Sequence, residues 1–134
     1  MANRVDVTII GGGPVGLFAS FYAGLRGMSV RIVDSLPDLG GQLTALYPEK
    51  YVYDMPGFPR VLAKDLARDL IAQGTQFKPE IALGVTAETL IAEGEDGYTI
   101  QTRDGQNLPT RTVIIAAGNG SFSPTKLGVE REEA

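Results

Sequence analysis

Two apolar rhythms follow one another in the first thirty-odd residues. Val5-Asp6-Val7-Thr8-Ile9-Ile10 is a β-branched apolar run that stops at Gly11. It predicts a strand buried on both faces, as in a parallel sheet. From Pro14 the spacing becomes helical through Leu17, Phe18, Phe21, Tyr22 and Leu25. Pro14 suits the first turn of a helix, and Gly27 stands where a C-terminal cap belongs. Val30-Arg31-Ile32-Val33 then reads as a second short strand, ending at Asp34. Strand, helix and strand make a βαβ unit.

Between residues 35 and 59 the periodicity breaks up among four prolines and three glycines. A loop of that length inside a compact domain is usually functional. Helical spacing returns over residues 63–73 through Leu66, Leu70 and Ile71, and Gly74 is expected to stop that helix. After Pro79 the period shortens to two. Residues 85–91 and 98–102 flank the turn Glu95-Asp96-Gly97, and Asp104-Gly105 marks a second turn. The expectation is a small antiparallel meander. Residues 112–117 read as one more buried strand, ending in Gly118-Asn119-Gly120, and the charged end at 130–134 is expected to fray. The order of elements gives a single α/β domain over residues 1–134.

Composition narrows the chemistry. Apolar residues make up 43% of the 134 and charged ones 21%, an ordinary balance for a globular domain. A net charge of −4 with scattered Lys and Arg argues against a nucleic-acid surface. No apolar run approaches the roughly 18 residues of a membrane span, and no secretory signal precedes the first strand, so a cytoplasmic location is expected. The chain has no cysteine and no histidine. Disulfides, zinc sites, cysteine nucleophiles and histidine bases therefore drop out together, and no catalytic side chain and no metal are assigned. Such a chain leaves its chemistry to a bound cofactor.

Gly11-Gly12-Gly13-Pro14-Val15-Gly16 fits G-x-G-x-x-G, with Gly11, Gly13 and Gly16 in the three glycine roles. The first allows a tight turn, the second lets a pyrophosphate approach the backbone, and the third lets helix and strand pack closely. The helix opening at Pro14 aims free N–H groups and its positive end at the phosphates. A glycine pattern alone is weak, but here a strand precedes it, a helix follows, and Asp34 stands 18 residues past Gly16. At a strand end, that carboxylate can accept hydrogen bonds from the hydroxyls of an adenosine ribose and would repel a 2′-phosphate. These features give ADP recognition without choosing between FAD and NAD.

The next stretch carries a resemblance. Gly40-Gly41-Gln42-Leu43, following that unit, looks like the N-terminal FAD domain of the thioredoxin-reductase-like flavoproteins. Its continuation, residues 44–59 with Tyr47-Pro48-Glu49-Lys50-Tyr51-Val52-Tyr53, resembles the type 2 ferredoxin–NADP reductases. Residues 112–118 and the turn Gly120-Ser121-Phe122-Ser123-Pro124 are similar to later segments of the same family. The implied fold is a Rossmann-like FAD-binding domain in three layers, with a parallel sheet, crossover helices and an antiparallel β-meander.

The resemblance also implies a site, all of it cofactor binding. Gly11, Gly13, Pro14 and Gly16 would hold the pyrophosphate of a non-covalent FAD, and Asp34 the ribose. Gly41, Gln42 and Tyr47 would meet the flavin end, and the backbone at Ala87 the adenine. Gly118 and Phe122 would border the cofactor. Where Ala87 stands, the family usually has a β-branched residue.

The implied activity moves electrons between NADP(H) and ferredoxin. NADPH would be co-substrate of the full-length enzyme and would not bind this part, and a homodimer is expected. The chain has one glycine loop, and the family's NADPH domain and flavin-contacting C-terminal segment do not appear in it. It is therefore read as the first two fifths of a member, inactive by itself. Two rivals stay open: a thioredoxin reductase or related disulfide-linked flavoprotein, and a non-catalytic nucleotide-binding module.

Overall fold

The computed structural model describes residues 2–120. Eight strands and three α-helices follow in the order β1 (Val5–Ile10), α1 (Pro14–Leu25), β2 (Val30–Asp34), α2 (Gln42–Ala45), β3 (Tyr51–Val52), β4 (Val61–Leu62), α3 (Ala63–Thr75), β5 (Glu80–Leu83), β6 (Ala87–Ala92), β7 (Tyr98–Thr102) and β8 (Asn107–Ile115). Six strands form one sheet in the order β5-β2-β1-β8-β7-β6. The first four run parallel, and β7 and β6 join them antiparallel.

Alternation along the parallel strands sorts the side chains into two cores. Val7, Ile9, Val30 and Ile32 pack on Leu17 and Ala23 of α1. Val33, Ile10, Ala82 and Val113 instead pack on Ile100, Leu108 and Ala87 of the meander. A strand covered on both faces needs apolar residues at successive positions, which is why the period-two signal vanishes there. The layers are helices, parallel sheet and meander, as the resemblance implied.

One strand makes the layering possible. The first part of β8 pairs antiparallel with β7, Ile100 opposite Leu108 and Tyr98 opposite Thr110. Its last part pairs parallel with β1, from Val5 opposite Thr110 to Ile10 opposite Ile115. The apolar run alone starts this strand at 112, because Pro109 and the preceding turn mask its first half.

Four further expectations need correction. Helix α3 runs through Gly74 to Thr75. Gly74 is a crossing point: a Cβ there would stand 2.8 Å from the Leu17 carbonyl oxygen, and the Ser20 hydroxyl donates to the Gly74 carbonyl at 2.8 Å. The stretch 35–59 is less irregular than its prolines suggest, since it carries α2 and half of the β3–β4 ladder. Strand β5 lay between Pro79 and Gly84, too short to register as periodic. Arg31, read as part of an apolar strand, is fully buried. It ties three segments together, pairing with Glu80 at 3.0 Å and donating to the carbonyls of Asn3 at 2.6 Å and Pro109 at 3.1 Å. Among the described residues no helix is long and apolar enough to cross a membrane.

Candidate nucleotide site

The strand order reverses direction at β1, with β2 on one side and β8 on the other. In open α/β sheets, ligands bind outside the carboxyl ends of strands at such a switch point. The glycine loop leaves β1 there, Asp34 ends β2 there, and residues 116–118 leave β8 there.

The loop glycines have different reasons to be glycine. Gly11 has φ +111°, and a Cβ on it would overlap the Ala116 carbonyl. A Cβ on Gly16 would overlap the Gly11 carbonyl, so the helix could not close on the strand. Both are excluded by the protein itself. Gly13 is not: its φ of −78° and ψ of −172° are ordinary extended values. Among the described residues a Cβ there would find only the Gly41 Cα, 3.8 Å away. The space above Gly13 is open to a ligand, and the first turn of α1 begins beneath it with no side-chain cap and no acidic residue.

Gly12 was passed over in the sequence reading, yet it is held from both sides. Its N–H donates to Asp34 Oδ2 at 2.6 Å, and its carbonyl accepts from the Gly40 N–H at 2.9 Å. A Cβ there would lie 2.7 Å from the Leu39 side chain. Gly41 follows at φ +58°, close enough that a Cβ on it would stand 2.9 Å from the Gly13 Cα. The Gly40-Gly41 pair therefore lies directly over the loop.

Asp34 is nearly buried at 9% exposure. Its second oxygen, Oδ1, accepts the Leu36 N–H at 2.9 Å. Each oxygen of an ionised carboxylate has two lone-pair sites, so one remains on each for a ribose hydroxyl. The main chain around Asp34 is also tied sideways: Val85 N–H donates to the Asp34 carbonyl and Gly84 N–H to the Leu36 carbonyl, both at 3.0 Å. Two residues later Ala87 opens β6, half-buried beside the meander core.

The other end of the site is looser. Gln42 opens the short α2, exposed, and its Oε1 accepts from the Tyr47 hydroxyl at 3.1 Å. Tyr47 packs on the Leu43, Ala63 and Leu66 cluster. With Pro14, Leu43 and Met55 it lines an open groove of about 560 Å³, bordered by Tyr51 and Tyr53. Gly118, at φ +55°, follows β8 beside the segment that Gly11 touches. Phe122 lies outside the described residues. The structure thus brings Gly11, Gly13, Gly16, Asp34 and Gly41 into one constellation, with Pro14 and Tyr47 lining the groove and Gln42 bonded to Tyr47.

Among the described residues two carboxyls are held below the ordinary carboxylate value, and both are elsewhere. Asp6 takes hydrogen bonds from the Ser29 N–H and hydroxyl. Asp104 is lowered by the Thr102 hydroxyl and then by Gln106.

Comparison with known proteins identifies a family. Residues 6–107 match the family described as FAD dependent oxidoreductase. The chain is 53% identical over 131 residues to a ferredoxin–NADP reductase of Thermus thermophilus, covering 98% of this chain and 39% of that protein. A ferredoxin–NADP reductase 2 of Shouchella clausii gives the same identity and coverage. The chain thus spans about two fifths of the length of the curated relatives it matches. Among solved structures it resembles thioredoxin reductase of Streptococcus pyogenes, with a TM-score of 0.74 at 26% identity over 96% of this chain and 39% of that one. The thioredoxin reductase of T. acidophilum gives a TM-score of 0.72 at 29% identity over the same shares.

Proposed function

Since the chain belongs to the FAD-dependent oxidoreductase family, we propose that its glycine loop, Asp34 and the Tyr47 groove hold FAD for electron transfer between NADP(H) and ferredoxin. The observation that carries the binding mode is Gly13. Nothing among the described residues forbids a side chain there, and the space a Cβ would take lies at the start of α1 beside Gly41. A glycine kept clear by neither strain nor crowding fits a position reserved for a pyrophosphate.

In this reading Gly11, Gly13, Pro14 and Gly16 shape the phosphate pocket, with N–H groups at the start of α1 facing the charge. Asp34 accepts from the adenosine ribose, and the β6 backbone at Ala87 borders the adenine. Gly41, Gln42 and Tyr47 meet the flavin end, with Tyr47 presenting its ring to it. Gly118 flanks the loop, and Phe122 is assigned to the cofactor's border from sequence alone. Bound there, FAD supplies exchange between two-electron and one-electron donors, and this chain's residues orient it and exclude water from its adenosine half.

The electron partners come from the relatives' names, ferredoxin and NADP. NADPH would be bound by a further domain of a longer protein, with ferredoxin as acceptor, a homodimer as assembly and the cytoplasm as location. A thioredoxin reductase reading is favoured by the structural neighbours, but at 26–29% identity against 53% for the reductases it ranks second. The test is a flavin spectrum and an FAD titration, followed by NADPH-driven reduction of ferredoxin by the longest polypeptide carrying this chain. A colourless protein that releases NAD on denaturation would end the proposal. Thioredoxin reduction without ferredoxin reduction would move it to the second reading.

A further inference from the structure

We infer that Asp34 is a positioning residue as well as a ribose acceptor, and that its carboxylate builds the adenosine cradle before any nucleotide arrives. This deepens the proposed reading of the site and rests on it. The carboxylate joins two segments, and the main chain beside it reaches a third. Oδ2 takes the N–H of Gly12 in the phosphate loop at 2.6 Å. Oδ1 takes the N–H of Leu36 in the following turn at 2.9 Å. The same turn is stitched through its carbonyls, at Asp34 and Leu36, to Val85 and Gly84 at the entrance to β6. One nearly buried side chain therefore fixes the loop proposed for phosphate and the turn beside the ribose, and the main chain of that turn holds the strand entrance proposed for adenine.

The chemistry requires a carboxylate with both oxygens accepting. Two N–H donors point at it from different segments, and hydrogen bonds to charged acceptors are shorter and stronger than neutral ones. An asparagine would fit the same space but offers one oxygen and one NH₂. Whichever way its amide turned, one backbone N–H would face another donor. Gly12 is part of the device: a Cβ on it would stand 3.1 Å from Asp34 Oδ2 and 2.7 Å from the Leu39 side chain. A cradle formed in advance spares the nucleotide the cost of ordering it.

The test is amide hydrogen exchange on the nucleotide-free protein, wild type against Asp34→Asn, with ADP titrations of both. In wild type the Gly12 and Leu36 amides are expected to be protected without ligand. In Asp34→Asn, exchange at one or both should speed by roughly tenfold or more, the worth of a hydrogen bond to a charged group. Val7 and Ile32 in the sheet should keep their protection, which shows that the variant is folded. Should Asp34→Asn lose that too, the wild-type rates alone decide. Unprotected Gly12 and Leu36 amides in folded wild type, or unchanged rates in a folded variant, would overturn the positioning role whatever happens to ADP. Loosened amides with unchanged ADP affinity would uphold the pre-formed turn and remove Asp34 from ribose recognition. The two claims therefore fail separately.

Discussion

The two ends of the candidate site are built to different standards. At the adenosine end, glycines are jammed against carbonyls, Asp34 is nearly buried, and every segment is tied to another by backbone hydrogen bonds. At the flavin end the groove is open, Gln42 is exposed, and a single hydrogen bond links it to Tyr47. The difference separates affinity from chemistry. A rigid adenosine cradle can hold a dinucleotide by its non-reacting half. The cost of a substitution should therefore reveal which end it touches.

The largest effect should come at Gly16. A valine there drives its Cβ into the Gly11 carbonyl, and the fold should lose at least roughly 3 kcal/mol, since backbone cannot yield as side chains do. Thermal unfolding of the nucleotide-free protein measures it. Gly13→Val sharpens the contrast. Stability should stay within about 1 kcal/mol of wild type, because the site is open and its backbone ordinary, while FAD binding disappears. Equal destabilisation by the two variants would erase the distinction between packing glycines and a ligand glycine.

A control for these variants has to be chosen with care. Gly97 reads from sequence as a solvated turn, but it has φ +98°, and a Cβ would stand 2.8 Å from the Arg111 Cα. Gly97→Ala should itself cost about 1–3 kcal/mol. Gly105, at φ +86° with none of the described residues near its Cβ position, is the milder control: Gly105→Asn should cost no more than about 1 kcal/mol and leave FAD binding unchanged.

Asp34→Ala should weaken FAD by roughly 1.5–3 kcal/mol in a binding titration. Tyr47→Phe, at the other end, removes only an exposed hydroxyl contact and should cost no more than about 1 kcal/mol. Reversed magnitudes would mean that the flavin end is the anchor. The smallest effect lies on the far edge of β1, where Ser29 holds the Asp6 carboxyl below its ordinary value. A lowered folded-state value means that the contribution is present above the unfolded value near 3.8 and is withdrawn as the pH falls through the folded one. Asp6→Asn should therefore flatten the acid limb of a stability-against-pH curve while leaving FAD affinity untouched.

The tight end was also the legible one. Gly11, Gly13, Gly16 and Asp34 could be placed from sequence because each answers a local geometric demand that few residues satisfy. Gly12 escaped because its role depends on Asp34 and Gly40, which only the fold brings beside it. Gly74 was misread for a similar reason: a glycine late in a helix resembles a stop unless the crossing helix is known. Strand β5 is four residues, and the first half of β8 is recognisable only by its partners across the sheet. Arg31 gave no signal, since its acceptors are two backbone carbonyls and a glutamate from distant parts of the chain.

The double allegiance of β8 sets a timetable for folding. Strand β1 finds β2 some twenty residues along, but its other neighbour pairs Val5 with Thr110. Closing so long a loop is entropically costly and tends to be slow. Until it closes, Gly11 lacks the Ala116 segment that packs against it, so the phosphate loop has only one wall. A nascent chain emerging from the ribosome would thus complete its helical layer early and gain a closed phosphate loop only when residues 107–116 dock. Cofactor capture then waits for that docking, and added FAD should slow unfolding more than it speeds refolding.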